Sequence, residues 1–157
     1  MDALRRPLLK GAGATGTLAA ALAAGVLKPS QVLAADINRA AFEVKDLAGA
    51  LKGIGAAGAA ESKDVVIRAP DIAENGAVVP VDVASNIPNT ISLAVLVDKN
   101  PFPLTTAFDF ANGAVPEMAL RVKMGQTSLV EAVAKTADGK FYIAKKEVKV
   151  TVGGCGG

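Results

Sequence analysis

Polar and apolar residues change period once along this chain. Over residues 36–51, Ile37, Ala41, Val44, Leu47, Ala48 and Leu51 recur at three- and four-residue steps. Arg39, Glu43, Lys45, Asp46 and Lys52 take much of the other side. This spacing predicts one amphipathic helix, ended by the flexible backbone of Gly53, Gly55 and Gly58. Such a helix either caps the core of its own domain or docks on a partner. From residue 64 onward the period is two. Val65-Val66-Ile67 is a short apolar run, and Val79, Val81 and Val83 alternate through 77–84. Pro80 lies inside that second segment and lacks a ladder donor, so the strand is expected at an edge. Ile91, Leu93, Val95 and Val97 share one face of the richest β segment, and Phe102-Pro103-Leu104 reads as a loop with buried anchors. Phe108 and Phe110 fall on one side of 105–110, and Met118, Leu120, Val122 and Met124 alternate with Glu117, Arg121 and Lys123.

The segment 128–135 fits helix or strand by spacing alone. The following Ala137-Asp138-Gly139-Lys140 is a hairpin signal and decides for strand. The last strand then runs over 141–152, with Tyr142, Ala144, Lys146, Val148, Val150 and Val152 in one set. About seven strands at this spacing, after one helix, predict an all-β fold: an immunoglobulin-like antiparallel β-sandwich. A small antiparallel barrel has the same period-two pattern and is the alternative.

The N-terminal 35 residues stand apart from this pattern. Arg5-Arg6 is followed by Pro7-Leu8-Leu9-Lys10, then a Gly/Ala/Thr/Leu/Val run over 11–27, then Val32-Leu33-Ala34. This order predicts a twin-arginine signal peptide over 1–35, cut after Ala34 or Ala35, with a retained membrane anchor as the alternative. The expected organisation is therefore a signal over 1–35, a helix-plus-sandwich domain over 36–152 and a C-terminal arm over 153–157. The charge follows the same division. The formal net charge is +2, but the signal holds Arg5, Arg6, Lys10 and Lys28 against Asp2 alone. The remainder is left at about −1, with no basic footprint for nucleic acid. There is no histidine, so Ser-His-Asp catalysis is excluded, and no carboxylate–thiol cluster suggests a metal.

Chemistry concentrates at the end of the chain. Gly153-Gly154-Cys155-Gly156-Gly157 places the sole cysteine between glycine pairs. Glycine leaves the backbone narrow and free, and five extended residues reach at most about 16–18 Å. A thiolate on such a thread can enter a tight site on another protein and carry a covalent adduct there. An odd cysteine in an exported protein also suits an intermolecular disulfide, as in a structural or adhesive domain. A third possibility is activation of the terminal Gly156-Gly157 carboxylate, which needs ATP; the export signal argues against it. Lys145, Lys146 and Lys149 precede the arm and either attract anionic adducts or form a solvated strand face.

The mature chain resembles the SoxY family, the sulfur-carrier subunit of the periplasmic sulfur-oxidising system. The resemblance is carried by Val148-Lys149-Val150-Thr151-Val152-Gly153-Gly154-Cys155-Gly156-Gly157, by Glu74-Asn75-Gly76-Ala77-Val78-Val79-Pro80-Val81 and by Asp98-Lys99-Asn100-Pro101-Phe102-Pro103-Leu104. It implies a non-enzymatic carrier without a cofactor, holding thiosulfate-derived adducts covalently on Cys155. It also implies a smaller SoxZ-like subunit as heterodimer partner, with larger assemblies through a Cys155 disulfide. The implied enzymes are a haem-containing thiosulfate-conjugating enzyme, a sulfate-releasing hydrolase and, where that branch exists, a sulfane dehydrogenase. The implied location is the periplasm, reached by the twin-arginine route, with no membrane attachment after cleavage.

Overall fold

Two short helices precede nine strands among the residues described by the computed structural model, 38–111 and 113–152. The helices are α1 (Arg39–Phe42) and α2 (Leu47–Gly53). The strands are β1 (Ala60–Glu61), β2 (Val65–Arg68), β3 (Ile72–Ala73), β4 (Val79–Ser85), β5 (Thr90–Val97), β6 (Leu104–Asp109), β7 (Glu117–Val122), β8 (Ser128–Thr136) and β9 (Phe141–Val150). The expected signal, 1–35, and the arm, 153–157, lie outside the described residues.

The single helix expected over 36–51 is broken into two. Asn38 Oδ1 accepts from Ala41 N at 3.2 Å, and Asp46 Oδ1 accepts from Gly49 N at 2.7 Å. Short polar side chains compete in this way with the helical ladder, so Asp46 begins a new helix rather than continuing α1. The glycine stop holds. Gly55 adopts φ +80°; its N–H meets Lys52 O at 3.0 Å, while Ala56 N–H meets Leu51 O at 2.7 Å. This is the paired C-terminal closure that a left-handed glycine permits.

The strands form a sandwich, not a closed barrel. The large sheet runs β1-β9-β8-β5-β6, with β3 on the same edge of β9 as β1; the small sheet runs β2-β4-β7. The expected antiparallel sandwich gains two short parallel pairings at that edge. β1 and β3 both run parallel to β9, through Ala60↔Tyr142 and Ala73↔Val150. Two-residue strands leave no period in a sequence, so neither is foreshadowed there. The chain passes from β1 into the small sheet as β2 and returns as β3.

β4 is also corrected. It is the middle strand of its sheet, although Pro80 predicts an edge. β2 pairs with it only over Asp82–Ser85, whereas β7 pairs over Val79–Ala84. Pro80 thus occupies a stretch with one neighbour, where a missing donor is tolerated.

Alternation gives two apolar layers. Between the sheets lie Val79, Val81 and Val83 of β4, Leu93, Val95 and Val97 of β5, Val130 and Ala132 of β8, and Val148 of β9. On the opposite face of the large sheet, Ala94, Leu96, Leu104, Val133 and Ile143 meet Ala41, Ala50 and Ala56. The helices therefore bury their apolar side on their own domain, as the core-capping reading expects. β5 is buried on both faces from Leu93 to Val97, and its near-continuous apolar run reflects this. In the β5–β6 connection Pro103 and Leu104 are buried anchors, but Phe102 points outward, contrary to the expectation for it.

Candidate functional site

The candidate residues Cys155, Gly153, Gly154, Gly156 and Gly157 lie outside the described residues, which end at Val152. The described part of the site is the root from which they continue. β8 begins at Ser128, opposite Val148, so residues 149–152 have already run past their antiparallel neighbour. Other groups take over its role. On the β8 side, Thr127 Oγ1 accepts from Val150 N at 3.0 Å. On the outer side, Lys149 N donates to Asp71 O at 3.0 Å and Thr151 N donates to Ala73 O at 3.1 Å. Thr151 Oγ1 donates to Glu74 O at 3.0 Å. Finally, Gly76 N donates to Val152 O at 2.7 Å, while Gly76 O accepts from Met124 N at 2.7 Å.

The loops around the root are themselves fixed. Asn75 Oδ1 accepts from Ala77 N at 2.8 Å, an Asx turn that shapes 74–77. Asn100 Nδ2 donates to Lys123 O at 2.7 Å, tying the β5–β6 connection to the end of β7. Thus 74–81 and 98–104, two of the segments that carry the family resemblance, converge with 123–127 at the end of the sandwich where β9 leaves. The sequence marks Glu74-Asn75-Gly76 as a turn, but nothing in it signals that this turn holds residues 151 and 152. Thr127, Thr151 and Asn100 are likewise root residues that the sequence pattern does not single out.

Large apolar side chains are exposed at the same end. Ile72, Val78, Phe102, Leu129 and Val152 range from 37% exposed (Leu129) to 63% (Val152). Each sits at or beside a strand terminus facing the root: Ile72 is paired with Lys149, Val78 precedes β4, and Leu129 is the second residue of β8. Exposed apolar groups gathered at one place are a common mark of interaction surfaces.

Comparison with known proteins places this geometry. Residues 52–155 match the model of the family described as sulfur oxidation protein SoxY. The chain belongs to the SoxY family. Among solved structures it is similar to the sulfur carrier protein SoxY from Chlorobium limicola f thiosulfatophilum, at 38% identity and TM-score 0.57, over 64% of this chain and 94% of that one. It is also similar to a superoxide reductase (neelaredoxin) from Ignicoccus hospitalis, at 21% identity and TM-score 0.50, over 55% and 79% of the two chains. The latter likeness is one of fold. No curated protein matches the chain. As a SoxY-family member, the chain is a sulfur-oxidation carrier rather than a catalyst, and works in a Sox system with partner proteins.

The charged groups of this SoxY-family chain fit a structural edge better than an anion trap. Lys145 pairs with Glu61 at 3.5 Å and Lys146 with Asp71 at 3.0 Å, joining β9 to the segments beside it. Lys149 is exposed beside Ile72 at the root. Glu131 is the outlier. It sits on β8 only 2% exposed, with Lys145 Nζ 3.9 Å from Oε1 and, among the described residues, no hydrogen-bond partner on Oε2. Burial pushes its carboxyl above the ordinary range; Lys145 opposes this, while Asp98 and Glu61 add to it. Among the described residues no group of three or more Asp, Glu, His or Cys side chains gathers to hold a metal ion.

Proposed function

We propose that this chain carries thiosulfate-derived sulfur covalently on Cys155 and presents it to successive enzymes on the Gly153–Gly157 arm. The observation that carries the reading is that the family match runs through the arm to Cys155 itself. The root supports it, because the chain is held by hydrogen bonds up to Val152, next to five glycine and cysteine residues.

In the first step the Cys155 sulfur bonds to the sulfane sulfur of thiosulfate, losing the thiol proton. The electron pair released passes to the haem-containing conjugating enzyme. Cys155 then holds an S–S–sulfonate. In the second step a hydrolase adds water across the S–sulfonate bond, releasing hydrogen sulfate and leaving a persulfide on Cys155. Where a sulfane dehydrogenase is present, it oxidises the outer, sulfane sulfur of the persulfide to a sulfonate, taking the oxygens from water, releasing protons and passing the electrons to a haem-protein acceptor. Hydrolysis of that S–sulfonate bond then releases hydrogen sulfate and restores the Cys155 thiol. None of these steps needs a base on the carrier. Covalent attachment keeps each intermediate at high effective concentration for the next enzyme.

An enzyme that takes up Cys155 must bring its surface close to the root. Three extended residues beyond Val152 span only about 10 Å. The exposed Ile72, Val78, Phe102, Leu129 and Val152, at the same end of the sandwich, are the surface such an enzyme meets in this reading. A SoxZ-like subunit is the proposed stable partner, forming a heterodimer, and Cys155 disulfides account for any larger assembly. Arg5-Arg6 and the apolar run after it direct the folded chain to the periplasm by the twin-arginine route, with the signal removed at Ala34 or Ala35.

Mass spectrometry of the native protein isolated from thiosulfate-grown cells tests the reading. Sulfonate or persulfide mass on the peptide containing Cys155 is expected. Dimers linked through Cys155 with no such adduct would instead assign a structural disulfide.

A further inference from the structure

We infer that Thr127 and Thr151 are positioning residues for the carrier arm, whose hydroxyls reinforce the backbone bonds that hold its root at residues 149–152. The inference rests on the proposal that Cys155 is the carrier thiol. It begins from the point where β9 outruns β8. Beyond Val148, which is fully buried, the last four described residues have no antiparallel neighbour on the β8 side. Thr127 and Thr151 are both exposed, as is Val152, so neither hydroxyl is needed to satisfy a buried group. Each nonetheless holds this short stretch. Thr127 Oγ1 takes the Val150 N–H at 3.0 Å, in place of a β8 carbonyl. Thr151 Oγ1 reaches Glu74 O at 3.0 Å, beside the backbone bond from Thr151 N to Ala73 O at 3.1 Å.

The consequence is one of length. With Val152 as the last held residue, Cys155 is the third residue beyond it and lies at most about 10 Å away. If residues 149–152 come free, the last held residue is Val148 and Cys155 becomes the seventh, with a reach near roughly 25 Å. A longer tether lowers the effective concentration of its end roughly as the −3/2 power of its length. Going from three to seven residues therefore costs about three- to four-fold. A held root keeps Cys155 close to the surface on which an enzyme sits.

The test compares the full-length mature protein with its T127V/T151V and T127S/T151S variants. Valine keeps the shape and removes the hydroxyls, whereas serine keeps them. A nitroxide label on Cys155 reports the arm by electron paramagnetic resonance. Hydrogen exchange of the Gly76 amide, which donates to Val152 O, reports the root. The valine pair should give a more mobile label and Gly76 exchange at least ten-fold faster, with the melting temperature little changed. Its kcat/KM for enzymatic loading of Cys155 should fall about two- to four-fold, mainly through KM. Reaction of Cys155 with a small disulfide reagent should keep its wild-type rate. The serine pair should match wild type in every readout. Unchanged label mobility and Gly76 exchange in the valine pair would overturn this role, as would a serine pair that behaves like the valine pair. The label and exchange readouts need only a reactive thiol, so they judge the role of the hydroxyls even if Cys155 proves not to carry sulfur. Failure of the wild type to load would count against the carrier reading instead.

Discussion

At one end of the sandwich β8 turns into β9 through Ala137-Asp138-Gly139-Lys140, and the turn is closed mainly by its own residues. Gly139 N–H meets Thr136 O at 2.9 Å, Thr136 N–H meets Lys140 O at 3.0 Å, and Asp138 accepts from Thr136 Oγ1. At the other end β9 is held by distant parts of the chain. Thr151 and Glu74 are 77 residues apart, and Val150 and Thr127 are 23 apart. Closing such loops costs chain entropy that a tight hairpin avoids. The first end borrows one distant carbonyl, Asn89 O, which accepts from Ala137 N at 2.9 Å. The second gathers three loops and exposes apolar side chains around the departing β9. The difference separates a turn closed mainly by local bonds from a root, held by distant loops, to which the proposed carrier residues are joined. It also says which substitutions should affect stability and which should affect sulfur transfer.

The largest effect is expected at the arm. Cys155→Ser should abolish thiosulfate-dependent turnover in a reconstituted system while leaving stability within about 0.5 kcal/mol of wild type. Normal turnover by the serine variant would remove the carrier proposal, and a large fall in melting temperature would reassign Cys155 as structural. Next come Gly154→Val and Gly156→Val. Added methyl groups restrict the backbone and clash in a narrow entrance. Enzymatic loading should slow by at least about ten-fold, equivalent to about 1.4 kcal/mol on the barrier. Reaction with a small thiol reagent should change far less. Equal slowing of both reactions would place the effect on the thiol rather than on access.

What the sequence makes legible follows the same contrast. β4 and β9 alternate in sequence, so their period is visible; β5 is a long, nearly continuous apolar run, and the Asp138-Gly139 hairpin resolves the ambiguous 128–135 segment into strand. Local turn chemistry needs only neighbouring residues. β1 and β3 are invisible because their pairing with β9 is set by the chain crossing between sheets, not by any pattern in two residues. The break between α1 and α2 is present as Asp46, but the apolar spacing across it masks the cap. Glu131 looks like a polar position on a half-exposed strand, and its burial arises from packing on the outer face of the large sheet. The thiol and its glycines are legible as a composition. The hydroxyls and loop carbonyls that hold the root are not, because each bond joins residues far apart.

A smaller effect is expected at the apolar surface beside the root. Phe102→Ser removes an exposed ring without opening the core, so stability should move by no more than about 0.5 kcal/mol. If partner enzymes sit there, kcat/KM for loading should fall about ten-fold, the value of about 1.4 kcal/mol at a contact. The same substitution at Phe108, on β6 and toward the opposite end, should leave loading unchanged. Equal losses at both positions would argue against a surface centred on the root.

Glu131 gives a stability effect with a defined pH dependence. Burial raises its folded-state pKa above the ordinary 4.5, so the native state holds the proton to higher pH than the unfolded chain does. The stability linked to this proton is fully present below about pH 4.5 and is lost as pH rises through the folded-state value. Glu131→Gln carries no such proton. Its stability relative to wild type should therefore be more favourable at about pH 7 than at about pH 4, as read from urea melts at both. Parallel pH profiles for the two proteins would show that Glu131 does not titrate in this way.

The smallest effect on sulfur transfer is expected at the hairpin, and it is the control that makes the contrast sharp. Gly139 has φ +82°, and a Cβ built there meets nothing within 4 Å among the described residues. Gly139→Ala therefore introduces backbone strain without a clash, at a cost of about 1–2 kcal/mol. For a domain of this size that is a fall of roughly 4–8 °C in melting temperature. The damage is local, because the N–H of Gly139 itself bonds to Thr136 O of the same turn. At a temperature where the variant remains folded, its loading rate at Cys155 should equal that of wild type. Thermal melts and loading assays on the same preparation decide the matter. A loading defect in folded Gly139→Ala would mean that strain at the hairpin travels along β9 to the root, and that the two ends are mechanically coupled rather than separate.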